Sequence, residues 1–130
     1  MSFETVQAYF EQFGMADRCM DLKESSATVA LAALALGTEE ARIAKTLSFL
    51  VEEAPVVIVA AGDARIDNHK YKMFFHKKPK MIPGIECEKY IGHRPGGVCP
   101  FCLPPTADVH LDISLKRFDV IYPAAGTDHS

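Results

Sequence analysis

Between Gly92 and Phe101 the sequence reads Gly-His-Arg-Pro-Gly-Gly-Val-Cys-Pro-Phe, and no other stretch concentrates as much backbone chemistry. Gly92, Gly96 and Gly97 accept positive φ or let a ligand approach the main chain, while Pro95 and Pro100 hold φ on either side. A stiff glycine turn of this kind can leave N–H groups aimed at an anion, or at a carbonyl oxygen that gains charge during reaction. An ordinary surface turn has the same composition. Lys45 is the other candidate: it stands between Ala44 and Thr46 in apolar surroundings, where a helix is expected to give way to a strand. Its ammonium either snorkels to the surface or is a cation aimed into a pocket.

Cys99-Pro-Phe-Cys102, with Cys87 and His93 upstream and His110 downstream, has zinc or redox spacing. Structural zinc sites normally need a second close pair, and Cys87 stands alone. A redox dithiol wants a helix after it, and Pro104-Pro105 follows too soon. The plainer reading is a set of small, half-buried thiols, with a zinc-stabilised domain built on Cys87, Cys99, Cys102 and a histidine as an alternative. His69, His76, His93, His110 and His129 form no H-E-x-x-H pattern, and the chain has no G-x-S-x-G, Walker or G-x-G-x-x-G segment. Zincin, serine-hydrolase, P-loop and dinucleotide chemistry therefore have no footing here, and no metal or cofactor is expected. Asp63 and Asp67 bracket a turn and read as bonding its backbone.

The elements that must position these groups follow from periodicity. Phe3, Val6, Phe10 and Phe13 recur at helical spacing up to Gly14, predicting an amphipathic helix over 3–13. Residues 18–22 read as a short strand. Ser25 and Ser26 are candidate caps for a helix over 28–36, closed by Gly37, and Thr38 for another through Lys45. Thr46–Val51 reads as a strand, and the apolar run Val56–Ala61 as a central one. Asp67 is expected to cap a helix to His76, and residues 85–91 to form a short helix before the glycine loop. Val109, Leu111, Ile113 and Leu115 alternate cleanly as a strand, with Phe118, Val120 and Tyr122 in its hairpin or neighbouring partner. The pattern predicts one α/β (α+β) domain spanning residues 1–130, a mixed curled sheet flanked by helices.

At 130 residues, 48% of them hydrophobic, the chain is long enough for one real core. No apolar run approaches ~20 residues, so no membrane span is expected. Nor does the N-terminus read as a signal peptide, which points to the cytoplasm and to free thiols. The net charge of −3 hides a gradient. Residues 1–64 carry four basic and ten acidic side chains, 65–94 eight and three, 95–130 two and four. The centre is thus a basic patch on an acidic protein, which is either a solvated lysine face or a polyanion-binding surface.

Five segments in fixed order sharpen the reading: Ser25-Ser-Ala-Thr-Val29, Ala44-Lys-Thr-Leu47, Val57-Ile-Val-Ala-Ala-Gly-Asp63, Gly96-Gly-Val-Cys-Pro-Phe101 and Tyr122-Pro-Ala-Ala-Gly126. From about residue 15 onward the chain resembles the YbaK/ProX family of aminoacyl-tRNA editing domains, which also occur inserted in bacterial prolyl-tRNA synthetases. The resemblance implies hydrolysis of the ester joining a wrong amino acid, typically alanine or cysteine, to proline tRNA. It implies that Lys45 is the central functional side chain and that the loop from Gly96 to Pro100 holds the aminoacyl group. Lys45, Gly96 and Gly97 would then act in catalysis, with Thr28, Thr46, Val98, Cys99, Pro100 and His129 around the substrate. Lys70, Lys72, Lys77, Lys78 and Lys80 would contact tRNA phosphates, with interleaved aromatics for stacking. The implied partners are aminoacyl-tRNA and an aminoacyl-tRNA synthetase, not DNA; the alternative is a tRNA- or synthetase-binding module of the same fold without catalysis. The chain departs from the family in stopping at Ser130, short of a further helix and strand, and in placing Cys102 where a glycine is common.

Overall fold

Every residue from Pro55 to Ala61 is buried, which only a strand covered on both faces achieves. In the computed structural model, which describes residues 2–130, this run is the interior of strand β2 (Ala54–Ala61). It pairs antiparallel with β1 (Ile43–Val51) through an unbroken register from Ala44↔Ala61 to Val51↔Ala54. The hairpin closes through Glu52 and Glu53, both left-handed (φ 50° and 68°), the geometry that matches strand twist. Two short strands run parallel to this hairpin. β3 (Asp108–Leu111) lies beside β2, and β4 (Tyr122–Pro123) beside the start of β1, giving the order β3-β2-β1-β4 in a mixed sheet.

Alternation along the hairpin divides the core. Phe49, Val56 and Ile58 meet Tyr71 and Phe75 of helix α3 (Asn68–Phe75), which Asp67 caps through Lys70 N. Ala44, Leu50, Val57, Val59 and Ala61 face the other way, onto Ile82, Leu115, and Cys87 and Ile91 of helix α4 (Cys87–Ile91). Helix α1 (Phe3–Glu11) sends Val6 against Cys99 and Ala125, and helix α2 (Val29–Leu36) sends Ala32 and Ala33 against Ile43. No helix is long and apolar enough to cross a membrane among the described residues.

Five local expectations are corrected. Residues 18–22 form no strand: a 3₁₀ turn covers Ala16–Arg18, and the chain beyond is held by Leu22 N donating to His129 O (2.6 Å), not by a sheet edge. The helix expected from Thr38 to Lys45 is only a 3₁₀ turn, Glu40–Arg42, because pairing with β2 and β4 draws residues 43–45 into β1. The strand expected over 109–115 stops at Leu111. There Asp112 accepts from Ser114 N and starts a 3₁₀ turn over Ile113–Arg117, leaving Leu111 and Ile113 exposed. Of 118–122 only Tyr122 joins the sheet, and its neighbour is β1 rather than β3. Thr28, not Ser25 or Ser26, caps α2.

Candidate active site

The outer edge of β1 is covered at both ends and open in the middle. β4 covers Ile43 and Ala44. Farther along, Ile82 N donates to Ser48 O (3.0 Å) and Leu50 N donates to Lys80 O (2.9 Å). Main-chain groups alternate sides along a strand, so Thr46 turns its N–H and C=O to the same outer edge as Ser48 and Leu50, between the two covers. The Thr46 hydroxyl is buried with no hydrogen-bond partner among the described residues. This opening is the floor of a cavity of about 690 Å³, walled by β1, by Thr28 and Val29 of α2, by Gly96 and Val98 of the glycine loop, and by Phe10 and Phe101. Two cationic side chains line it, Lys45 and Arg18, and no Asp or Glu side chain does.

Lys45 is half-buried in the cavity wall, three residues into β1. Its ammonium donates to the carbonyls of Gly62 (3.5 Å) and Ala64 in the turn that ends β2. That turn is fixed from outside as well. Arg117 binds both oxygens of Asp63, holding its carboxyl below the usual range, and Ala61 N donates to Ser114 Oγ (3.0 Å). Gly62 is obligatory here, since a Cβ would lie 2.0 Å from Glu40 O.

The glycine loop is built on a buried histidine. Gly92 ends α4 at φ 85°, and the next side chain, His93, is fully buried. His93 Nε2 donates to Phe101 O at 2.7 Å and lies 3.4 Å from Cys99 Sγ, while Nδ1 has no partner among the described residues. Burial lowers the His93 pKa, which keeps the ring neutral. Gly97 N donates back to Arg94 O (3.0 Å), closing the turn, whereas the N–H groups of Gly96 and Val98 donate to no described residue. Gly97 also packs on main chain, where a Cβ would stand 2.8 Å from Gly126 O and Thr127 N. Residues 126–130 are in turn tied to the segment before α2, with Ser26 N donating to Asp128 O (2.6 Å) and Ser26 Oγ to Ser130 O (3.0 Å).

The structure therefore brings Lys45, Thr28, Thr46, Gly96 and Val98 to one cavity, and leaves other expected site residues outside its wall. Gly97 is buried and Pro100 half-buried, and neither lines the cavity. Cys99 is fully buried beneath it against Val6 and Ala125, where burial pushes its thiol up to about 12, so it neither lines the pocket nor ionises. His129 is exposed, held by Asp128 (2.9 Å) and Asp21 (3.5 Å), and these partners raise its pKa. Lys70 and Lys72 are exposed on α3, Lys77 pairs with Glu52 (3.4 Å), and Lys78 borders a shallow cleft with Asn68 and Pro79. Lys80 is exposed, and the chain runs from it straight into Met81 and Ile82 of the cavity wall. Among the described residues no three metal-ligating side chains converge. Cys87 sits beside Ser48 (3.9 Å) while Cys99 sits beside His93, so the four-ligand zinc alternative has no site. Arg18 went unnoticed in the sequence, where a single arginine between turn residues carries no signal.

Comparison with known proteins places this geometry. The model of the aminoacyl-tRNA editing domain family matches residues 23–130. A Bacillus subtilis (strain 168) protein, "Uncharacterized protein YwhH", is 44% identical over 131 residues, covering all of this chain and 83% of that protein. Among solved structures, "a putative trans-editing enzyme for prolyl tRNA synthetase" superposes with TM-score 0.82 at 25% identity, over 99% of this chain and 84% of that one. The "hypothetical protein APE2540" superposes with TM-score 0.78 at 29% identity, over 85% of this chain and 74% of that one.

Proposed function

This chain belongs to the aminoacyl-tRNA editing domain family, and on that premise we propose that it is a deacylase, cleaving the ester of mischarged aminoacyl-tRNA in trans. The carrying observation is that Lys45 and the wall formed by Gly96 and Val98 line one cavity whose other polar groups are neutral apart from Arg18. The amino acids favoured are alanine and cysteine on proline tRNA, since a small neutral side chain suits an apolar cavity lined by no Asp or Glu side chain. The solved relative described as acting for prolyl tRNA synthetase supports the same choice.

The chemistry needs no side-chain nucleophile. Water attacks the ester carbonyl; where a substrate hydroxyl attacks first, the acyl group moves to that hydroxyl and water then attacks the new ester in the same way. A C–O bond to the attacking oxygen forms, the bond to the ribose oxygen breaks, and the proton lost by the nucleophile ends on that ribose oxygen. Amino acid and uncharged tRNA leave. The carbonyl oxygen gains charge as attack proceeds, and the N–H groups of Gly96 and Val98, which donate to no described residue, take it. Gly97 contributes through its shape, its own N–H being engaged with Arg94. Lys45 positions the terminal nucleotide with the proton its two carbonyl partners leave over. Thr46 adds a donor, an acceptor and a hydroxyl on the cavity floor. The exposed lysines 70, 72, 77, 78 and 80 receive the acceptor stem in a cytoplasmic setting.

The test is deacylation of Ala- and Cys-charged proline tRNA beside Ser- and Thr-charged controls. Turnover on one of the first two, abolished by Lys45→Ala, is expected. Tight tRNA binding with no turnover on any member would replace the enzyme by a binding module of the same fold.

A further inference from the structure

The cavity holds two cations in different states. Lys45 is committed to the carbonyls of Gly62 and Ala64. Arg18 ends the 3₁₀ turn Ala16–Arg18, is exposed, and lines the cavity beside Met15 and Cys19. Its guanidinium makes no hydrogen bond, ion pair or aromatic contact with any described residue. Of the other guanidinium groups, Arg42 is engaged with Glu39, Arg94 with Glu88 and Arg117 with Asp63, and Arg65, which has no described partner either, does not line the cavity. No Asp or Glu side chain lines the cavity to neutralise Arg18. An unpaired guanidinium presents a planar fork of N–H donors whose geometry matches a phosphodiester. It also stands on the wall formed by the segment after α1, which Leu22 and Ser26 bind to residues 128–129, so its main-chain support is anchored.

We propose that Arg18 is the phosphate anchor of this cavity, gripping a phosphodiester of the tRNA acceptor end while the aminoacyl ester lies against Gly96 and Val98. This rests on the deacylase reading above. It divides the labour between the two cations: Arg18 takes the backbone anion, and Lys45 stays with the turn it braces and the nucleotide nearest the ester.

Two substrates separate the idea from its alternatives. One is the mischarged tRNA that the protein cleaves; the other is the corresponding aminoacyl-adenosine, which has the same ester and no phosphate. Arg18→Gln should lower kcat/KM on the tRNA about tenfold, through KM, the lower end of what a hydrogen bond to a charged group contributes. On the aminoacyl-adenosine it should leave kcat/KM unchanged, and Arg18→Lys should restore part of the loss on tRNA. An equal loss on both substrates, or no loss on tRNA, overturns the assignment. Binding of an uncharged CCA-ended RNA hairpin is read in parallel. Arg18→Gln should weaken it and reduce the slope of log K against log salt by about 0.7, one single-strand phosphate contact. If the wild type cleaves no ester, the deacylase reading falls, and unchanged hairpin binding in the variant would then overturn the anchor as well.

Discussion

His93 Nε2 lies 2.7 Å from the carbonyl oxygen of Phe101, and this one bond ties the start of the glycine loop to its end. Everything between, from Arg94 to Pro100, is spanned by a ring with no solvent exposure. The loop is thus preorganised by a neutral histidine rather than by its glycines alone.

The burial of that ring makes the protein sensitive to mild acid. Burial lowers the His93 pKa below its ordinary 6.5, so the unfolded chain takes up the proton more readily than the folded one. The stability contributed by the neutral ring is present above about pH 6.5 and is lost as pH falls from there toward the folded value. The lowered carboxylates, Asp63, Asp67 and Asp112, act in a separate window below their ordinary 3.8. His129, raised by Asp128 and Asp21, acts in the opposite sense in this window, so the check is a difference: urea unfolding should show the stability of the wild type falling relative to that of His93→Gln between pH 7 and 5. At pH 7, His93→Ala should cost about 2–3 kcal/mol, from the lost bond and the cavity left behind.

Lys45→Ala should separate stability from activity. Loss of its carbonyl bonds to the 62–64 turn should cost about 1 kcal/mol, discounted for partial exposure. Deacylation of the preferred tRNA should fall by about a hundredfold or more if the ammonium positions the ester. Thermal melts and single-turnover kinetics on the same preparation read both, and full activity in a folded variant would remove Lys45 from the site.

Gly97→Ala and Gly96→Ala should differ. A Cβ on Gly97 meets the Gly126 and Thr127 main chain at 2.8 Å, so residues 126–128 must move, at about 2 kcal/mol or more. At Gly96 the nearest atoms are side-chain carbons at 3.4–3.5 Å, and the cost is the φ of +89°, about 1–2 kcal/mol. Paired denaturation curves check the order; equal and small effects would mean that the 126–128 segment yields freely.

Cys99, though inside the loop, should be chemically silent. With its thiol pushed up to about 12 and no exposure, iodoacetamide at pH 8 should leave it unmodified in the native protein and label it in urea, read by mass spectrometry. Cys99→Ala should keep deacylation within a few-fold. Abolished turnover in a folded Cys99→Ala protein would force a role for the thiol.

Much of the fold was legible because local signals and tertiary demands agree. The apolar run Val56–Ala61 within β2, the helix closed by Gly37, the helix capped by Asp67 and the short helix before Gly92 stand where periodicity and turn residues put them, although Thr28 rather than Ser25 or Ser26 caps the helix closed by Gly37. The misses share one cause. Residues 43–45 look helical after Thr38 but gain more from pairing with Ala61 and Tyr122. The alternation at 109–115 looks like one strand but is cut by the Asp112–Ser114 bond.

The site divides the same way. Residue types alone marked Lys45 and the Gly92–Phe101 stretch but left a surface lysine and an ordinary turn open, and the resemblance to the editing family chose Lys45 and Gly96–Pro100, because residue type and spacing are local properties. Side-chain direction and burial are not local. Only the folded chain turns Cys99 inward and closes the N–H of Gly97 onto Arg94. Only the folded chain opens the edge of β1 at Thr46 and sets Arg18, unremarkable in the sequence, on the wall of the cavity that Lys45 shares.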